Sequence, residues 1–122
     1  MSKILLIDDE FDFSDLTKTM LEFHDFDVSS LNDPIQVVEH IKNEKYDLIV
    51  TDLMMPNIDG FEVIRRVREL DDYKDVPLIV LSAKVLNDEE RKFLLQNNVH
   101  FLVKPFEPHG LVEQIQNLLG DA

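Results

Sequence analysis

The segment Asp47-Leu48-Ile49-Val50-Thr51-Asp52-Leu53-Met54-Met55-Pro56-Asn57-Ile58-Asp59-Gly60 decides the fold of this chain. Its apolar run, Leu48-Ile49-Val50, does not alternate with polar residues and ends abruptly in Thr51 and Asp52. A strand with one face in water alternates, whereas an unbroken apolar run of strand length belongs to a strand covered on both faces. Working outward, the same pattern recurs at Ile4-Leu5-Leu6-Ile7, Leu78-Ile79-Val80-Leu81 and Phe101-Leu102-Val103. By contrast, Phe26-Asp27-Val28-Ser29-Ser30-Leu31 alternates and carries a charge, as an edge strand does.

The segments between these runs carry helical spacing. Leu16, Met20 and Phe23, then Ile35, Val38 and Ile41, then Phe61, Ile64 and Val67, and finally Leu111, Ile115 and Leu118 recur at intervals of three or four. Asn87 to Gln96 is more polar, with Phe93, Leu94 and Leu95 as apolar anchors, and is read as a helix too. Asp33-Pro34 and Glu107-Pro108 place a cap before a first-turn proline, and Gly120 supplies a C-terminal stop. The chain thus reads as βα repeated five times. Right-handed crossovers make this an α/β doubly wound, five-stranded parallel sheet with five helices on its two faces.

Bulk properties narrow the function. The 122 residues suit one domain with one core. There is no cysteine, hence no disulfide framework and no thiolate chemistry. The longest apolar runs are four or five residues, too short for a membrane span, and no signal peptide precedes Lys3. The expectation is a cytoplasmic chain with no membrane insertion. The net charge of −13, from 25 acidic and 12 basic residues, repels a phosphate backbone and argues against direct nucleic-acid binding.

Ligands of open α/β sheets bind beyond the carboxyl ends of the strands. Those positions hold Asp8, Asp9 and Glu10, then Thr51 and Asp52, then Ser82, then Lys104 and Pro105. Each has a plainer reading: the aspartate pair as a helix cap, Ser82 as a turn cap, Lys104 as a solvated charge. Together they are harder to dismiss. Carboxylates gathered at one sheet edge repel one another unless a cation compensates, and a hard divalent ion with oxygen ligands answers that need. A metal and a lysine that offset charge, a hydroxyl donor and a carboxylate nucleophile are the parts of phosphoryl transfer. Spacing does not say which aspartate reacts. Asp52, alone on a central strand, is the better-placed nucleophile, with Asp8 and Asp9 as metal ligands.

The motifs I-L-L-I-D-D-E, D-L-I-V-T-D-L-M-M-P-N-I-D-G, P-L-I-V-L-S-A and F-L-V-K-P-F, in order and suitably spaced, resemble those of response regulator receiver domains of two-component signalling systems. The resemblance runs from Lys3 to about Leu119. It implies the flavodoxin-like strand order 2-1-3-4-5. It implies phosphorylation of Asp52 by a sensor histidine kinase or a histidine phosphotransfer protein. Mg²⁺ is then held by Asp8, Asp9, Asp52 and the backbone carbonyl of Met54. Ser82 and Lys104 engage the phosphoryl group, Lys104-Pro105 is cis, Phe101 is a switch aromatic coupled to Ser82, and Pro56 and Gly60 shape the loop before the third helix. Such a protein catalyses its own phosphorylation and dephosphorylation as a signalling device rather than acting as an enzyme on a separate substrate. Its output is a shift of the surface formed by helix 4, strand 5 and helix 5, offered to a downstream protein or to a second copy in a phosphorylation-dependent dimer.

Departures and alternatives accompany this reading. Asn97-Asn98 replaces the usual Gly-Ala before the fifth strand, and asparagine tolerates the left-handed geometry such a turn requires. Met54 and Lys84 occupy positions that tune phosphoryl lifetime in the family; the plainer reading of Lys84 is a solvated loop charge, and the expectation is a long-lived phosphoryl state. The competing functions are a pseudo-receiver interaction module without phosphorylation, an FMN carrier and a Mg²⁺-dependent phosphatase. An FMN carrier needs backbone donors rather than Asp8-Asp9-Glu10 in its first loop, and a phosphatase needs a cap domain and a second acid. Residues 1–122 are expected to form a single receiver domain with no output domain in this chain, either free-standing or excised from a longer regulator or hybrid kinase.

Overall fold

The expected strands form, and each is five residues long: β1 (Lys3–Ile7), β2 (Asp27–Leu31), β3 (Leu48–Asp52), β4 (Leu78–Ser82) and β5 (Val99–Val103). In the computed structural model, which describes residues 2–120, they make one parallel sheet of order β2-β1-β3-β4-β5. The connecting helices are α1 (Phe11–Phe23), α2 (Val37–Asn43), α3 (Gly60–Arg68), α4 (Asp88–Gln96) and α5 (Pro108–Leu119). Successive strand residues point to opposite faces, so the core divides in two. Leu5, Ile7, Ile49, Leu78 and Val80 pack with α2, α3 and Leu94 of α4, while Ile4, Leu6, Leu48, Val50, Ile79 and Leu81 pack with α1 and α5. Both sets are sealed from water, which is why the runs of β1, β3 and β4 do not alternate.

Two helix faces differ from the sequence reading. In α1 the buried residues are Ser14, Thr17 and Leu21, whereas Leu16 and Phe23 are 73% and 84% exposed. The buried stripe is displaced by about one residue from the apolar spacing and includes two small hydroxyl residues, while Met20 still packs against the core. In the second connection Pro34–Gln36 form a 3₁₀ turn before α2. The tighter turn rotates Ile35 outward and leaves Val37 and Ile41 buried.

Side-chain caps mark the 3₁₀ turn before α2 and the starts of α3 and α4. Asp33 accepts from the Ile35 N–H, Asp59 from the Glu62 N–H at 2.9 Å, and Asn87 forms a reciprocal capping box with Glu90. Glu107 occupies a cap position without a side-chain bond, and Gly120 ends α5 in left-handed geometry. Asn98 turns the chain into β5 at φ 58°, as the Asn97-Asn98 pair allows. That turn is fastened by Arg68, whose guanidinium donates to the carbonyls of Asn97, Asn98, Tyr73 and Val76. No helix among the described residues is long and apolar enough to cross a membrane.

Candidate functional site

Parallel registration brings the strand ends level. Ile7 pairs with Thr51, Asp52 with Leu81, and Ser82 with Val103, so the residues that follow β1, β4 and β5 surround Asp52. Three further backbone bonds fix those exits: Asp8 N–H to the Leu31 carbonyl at 3.1 Å, Leu53 N–H to the Leu81 carbonyl at 3.0 Å, and Lys104 N–H to the Ser82 carbonyl at 2.9 Å. The loop after β3 folds back so closely that a Cβ on Gly60 would lie 2.7 Å from the Asp52 carbonyl oxygen. Only glycine fits there, and its N–H donates to the Leu53 carbonyl at 2.8 Å.

Asp8, Asp9 and Asp52 each offer a carboxylate oxygen within 4.8 Å of the others. Neither Asp8 nor Asp9 caps α1, since Glu10 holds that position without a side-chain bond. Asp8 is buried; its Oδ1 accepts from the Glu10 N–H at 2.9 Å, and its Oδ2 has no hydrogen-bond partner. Burial pushes the Asp8 carboxyl up to about 6; the Glu10 N–H opposes that rise, nearby Asp52 adds to it, and Lys104 opposes it. A buried carboxylate oxygen without a partner, facing two further carboxylates, suits a hard cation with oxygen ligands. Those residues therefore fit Mg²⁺.

Asp52 is 8% exposed, with Oδ1 accepting from the Leu53 N–H at 2.8 Å. Its Oδ2 lies 3.3 Å from Lys104 Nζ, which is also 3.9 Å from Asp8 Oδ2. The Lys104-Pro105 peptide is cis. Ser82 is fully buried and its Oγ accepts from the Lys84 N–H at 2.9 Å. That bond uses an acceptor lone pair and leaves the hydroxyl proton free to donate, so the turn-cap reading and a donor role are compatible. Phe101 is partly buried against the α2–α3 side of the core, paired in register with Val80. Met54 is 61% exposed at the rim. Lys84 is paired with Glu90, the N3 residue of the α4 capping box, rather than standing as a free loop charge.

Two contributors escaped the sequence reading. Asn32, just past β2, donates to the Asp8 carbonyl at 2.7 Å and to Ser14 Oγ at 3.0 Å, tying three segments together behind the acidic pair. Phe13 places its ring 4.1 Å from Lys104 Nζ. Asn32 stands at a strand end like the other site residues, and that position was the available signal. Phe13 gave none, because spacing along α1 does not say which aromatic faces the sheet edge.

Residues 4–116 match the family model described as the response regulator receiver domain. A transcriptional regulatory protein CpxR homolog of Haemophilus influenzae is 33% identical over 120 residues, covering 98% of this chain and 51% of that protein. The chain therefore spans about half the length of the curated relatives it matches. Among solved structures, the chemotaxis protein CheY4 of Vibrio cholerae aligns with a TM-score of 0.89 at 26% identity, covering 97% of this chain and 98% of that one. The receiver domain of the sensor histidine kinase PA1611 of Pseudomonas aeruginosa PAO1, solved with magnesium coordinated in its active site cleft, aligns at 0.86 with 30% identity, covering 98% of both chains. With the sheet order, the acidic strand-end cluster and a match across nearly its whole length, this chain belongs to the response regulator receiver domain family of two-component systems.

Proposed function

We propose that this chain is a phosphoacceptor in which Asp52 takes a phosphoryl group from a phosphohistidine of a sensor histidine kinase or a histidine phosphotransfer protein. The observation that carries this reading is the placement of Asp52. It ends the central strand, nearly buried, between a lysine ammonium at 3.3 Å and two further carboxylates. One carboxylate oxygen of Asp52 attacks phosphorus, the phosphorus–nitrogen bond breaks with its electron pair returning to the imidazole, and an acyl phosphate results. Lys104 holds positive charge where phosphoryl oxygens gather, and the free Ser82 proton donates to one of them. Asp8, Asp9, Asp52 and the Met54 carbonyl would hold Mg²⁺, which would supply the remaining charge neutralisation. The magnesium reported in the related kinase receiver domain supports this assignment.

The output reading follows from the same residues. When Ser82 donates to the phosphoryl group its hold on the Lys84 N–H changes, and Phe101, two residues before Ser82's register partner Val103 on β5, repacks into the space Ser82 leaves. That repacking biases the α4–β5–α5 surface, where Leu95 and Val103 are 79% and 56% exposed, toward a downstream partner or a second copy. The test is intact-protein mass spectrometry with acetyl phosphate and Mg²⁺. A gain of one phosphoryl group, absent in Asp52→Asn, is expected. An unmodified parent protein establishes the pseudo-receiver reading instead.

A further inference from the structure

We propose that Phe13 is a positioning residue for phosphoryl transfer, holding the Lys104 ammonium on the acidic cluster through the face of its ring. The inference rests on the phosphoacceptor reading above. A lysine carries its charge on a flexible four-carbon stem, so its ammonium stays at one point only when its surroundings hold it there. Here Nζ lies 3.3 Å from Asp52 Oδ2, 3.9 Å from Asp8 Oδ2 and 4.1 Å from the Phe13 ring centroid. The carboxylates attract it from one side and the negative face of the aromatic quadrupole from another, leaving the side chain 20% exposed.

The ring is itself fixed. Phe106 meets it edge-on, with centroids 6.1 Å apart at 89°. The adjacent Ser14 donates to the Phe11 carbonyl and accepts from Asn32, which also binds the Asp8 carbonyl, so the first turn of α1 is tied to the loop that carries the acidic pair. Beyond the ring opens an apolar groove of about 400 Å³ lined by Leu16, Met20, Ala83 and Pro105. Without the aromatic face, the lysine stem is free to lie along this groove and carry its charge away from Asp52. Phe13 therefore sets where the lysine sits before any phosphodonor arrives.

The test replaces Phe13 by phenylalanines of increasing fluorine content, and separately by Leu and Tyr. Successive fluorination removes the quadrupole with little change in size, so it remains informative where Phe13→Leu perturbs folding. In the metal-free parent, NMR should show the Lys104 ε-CH₂ protons displaced upfield by the ring current, and Phe13→Leu should abolish that displacement. With acetyl phosphate and Mg²⁺, the rate of acyl-phosphate formation should fall stepwise along the series, by about threefold to tenfold overall, with Phe13→Tyr near the parent rate. A phosphorylated parent with a flat fluorine series, or with unshifted Lys104 protons, overturns the inference alone. A parent that takes up no phosphoryl group overturns the phosphoacceptor reading, and this inference with it.

Discussion

At the scale of single residues, Asp8 carries the largest electrostatic cost in the site. Its carboxyl is nearly sealed from water, one oxygen lacks any hydrogen-bond partner, and its pKa is raised from 3.8 to about 6. A carboxyl whose folded pKa lies above its unfolded value binds more protons in the folded state, so stability falls as pH rises through the window between about 4 and 6. Removing the charge should therefore help the metal-free protein. Asn at this position keeps the acceptor for the Glu10 N–H and offers an amide toward Asp52. Asp8→Asn is expected to be more stable than the parent by about 1–2 kcal/mol in chelator at pH 7.5, with the advantage shrinking below pH 5. Urea unfolding at the two pH values measures it. A variant less stable than the parent at both would show that contacts of the carboxylate outweigh its desolvation.

At the scale of elements, the clearest structural stitch is between α3 and the turn into β5. Arg68 donates to four backbone carbonyls from two segments, at 2.7 to 3.3 Å, and burial lowers its pKa. Deleting the guanidinium strands those acceptors, so Arg68→Ala should lose about 2–4 kcal/mol in denaturant unfolding, while Arg68→Lys, a point charge rather than a fork, recovers only part. A loss below about 0.5 kcal/mol would mean that water replaces the clamp without cost. This stitch was invisible in the sequence, because a basic residue in a last helical turn looks like any other. What was legible follows the physics of burial. The runs of β1, β3 and β4 betrayed a two-sided sheet because every residue in them had to be apolar, and strand ends betrayed the site because a parallel sheet brings them level. The face of α1 was not legible. Its apolar residues surround the helix, with Phe11, Leu16 and Phe23 in water, while Ser14 and Thr17 are buried, so periodicity pointed to the wrong stripe. The aromatic contact on Lys104 was hidden for the same reason.

At the scale of the whole molecule, a net charge of −13 on 122 residues makes the folded state self-repelling, and any added salt relieves part of that repulsion. General screening must therefore be separated from occupation of the acidic cluster. Sodium chloride should raise the thermal midpoint of the parent and of Asp8→Asn by similar amounts, since both carry nearly the same surface charge. Magnesium chloride at matched ionic strength should do more for the parent, because binding to the folded state alone adds about 2.7 kcal/mol at a hundred times the dissociation constant. For a chain of this size that corresponds to roughly 10 °C. Asp8→Asn, lacking one ligand and the charge that draws the ion in, should gain little beyond screening. The order of stability then inverts: the variant exceeds the parent in chelator, and the parent exceeds the variant in magnesium. Equal shifts from the two salts in both proteins would show that the cluster of Asp8, Asp9 and Asp52 holds no specific cation, and that its convergence is merely tolerated by the fold. The inverted order would show instead that the metal-free instability of this sheet edge is inseparable from its capacity to bind, since the same unpartnered carboxylate produces both.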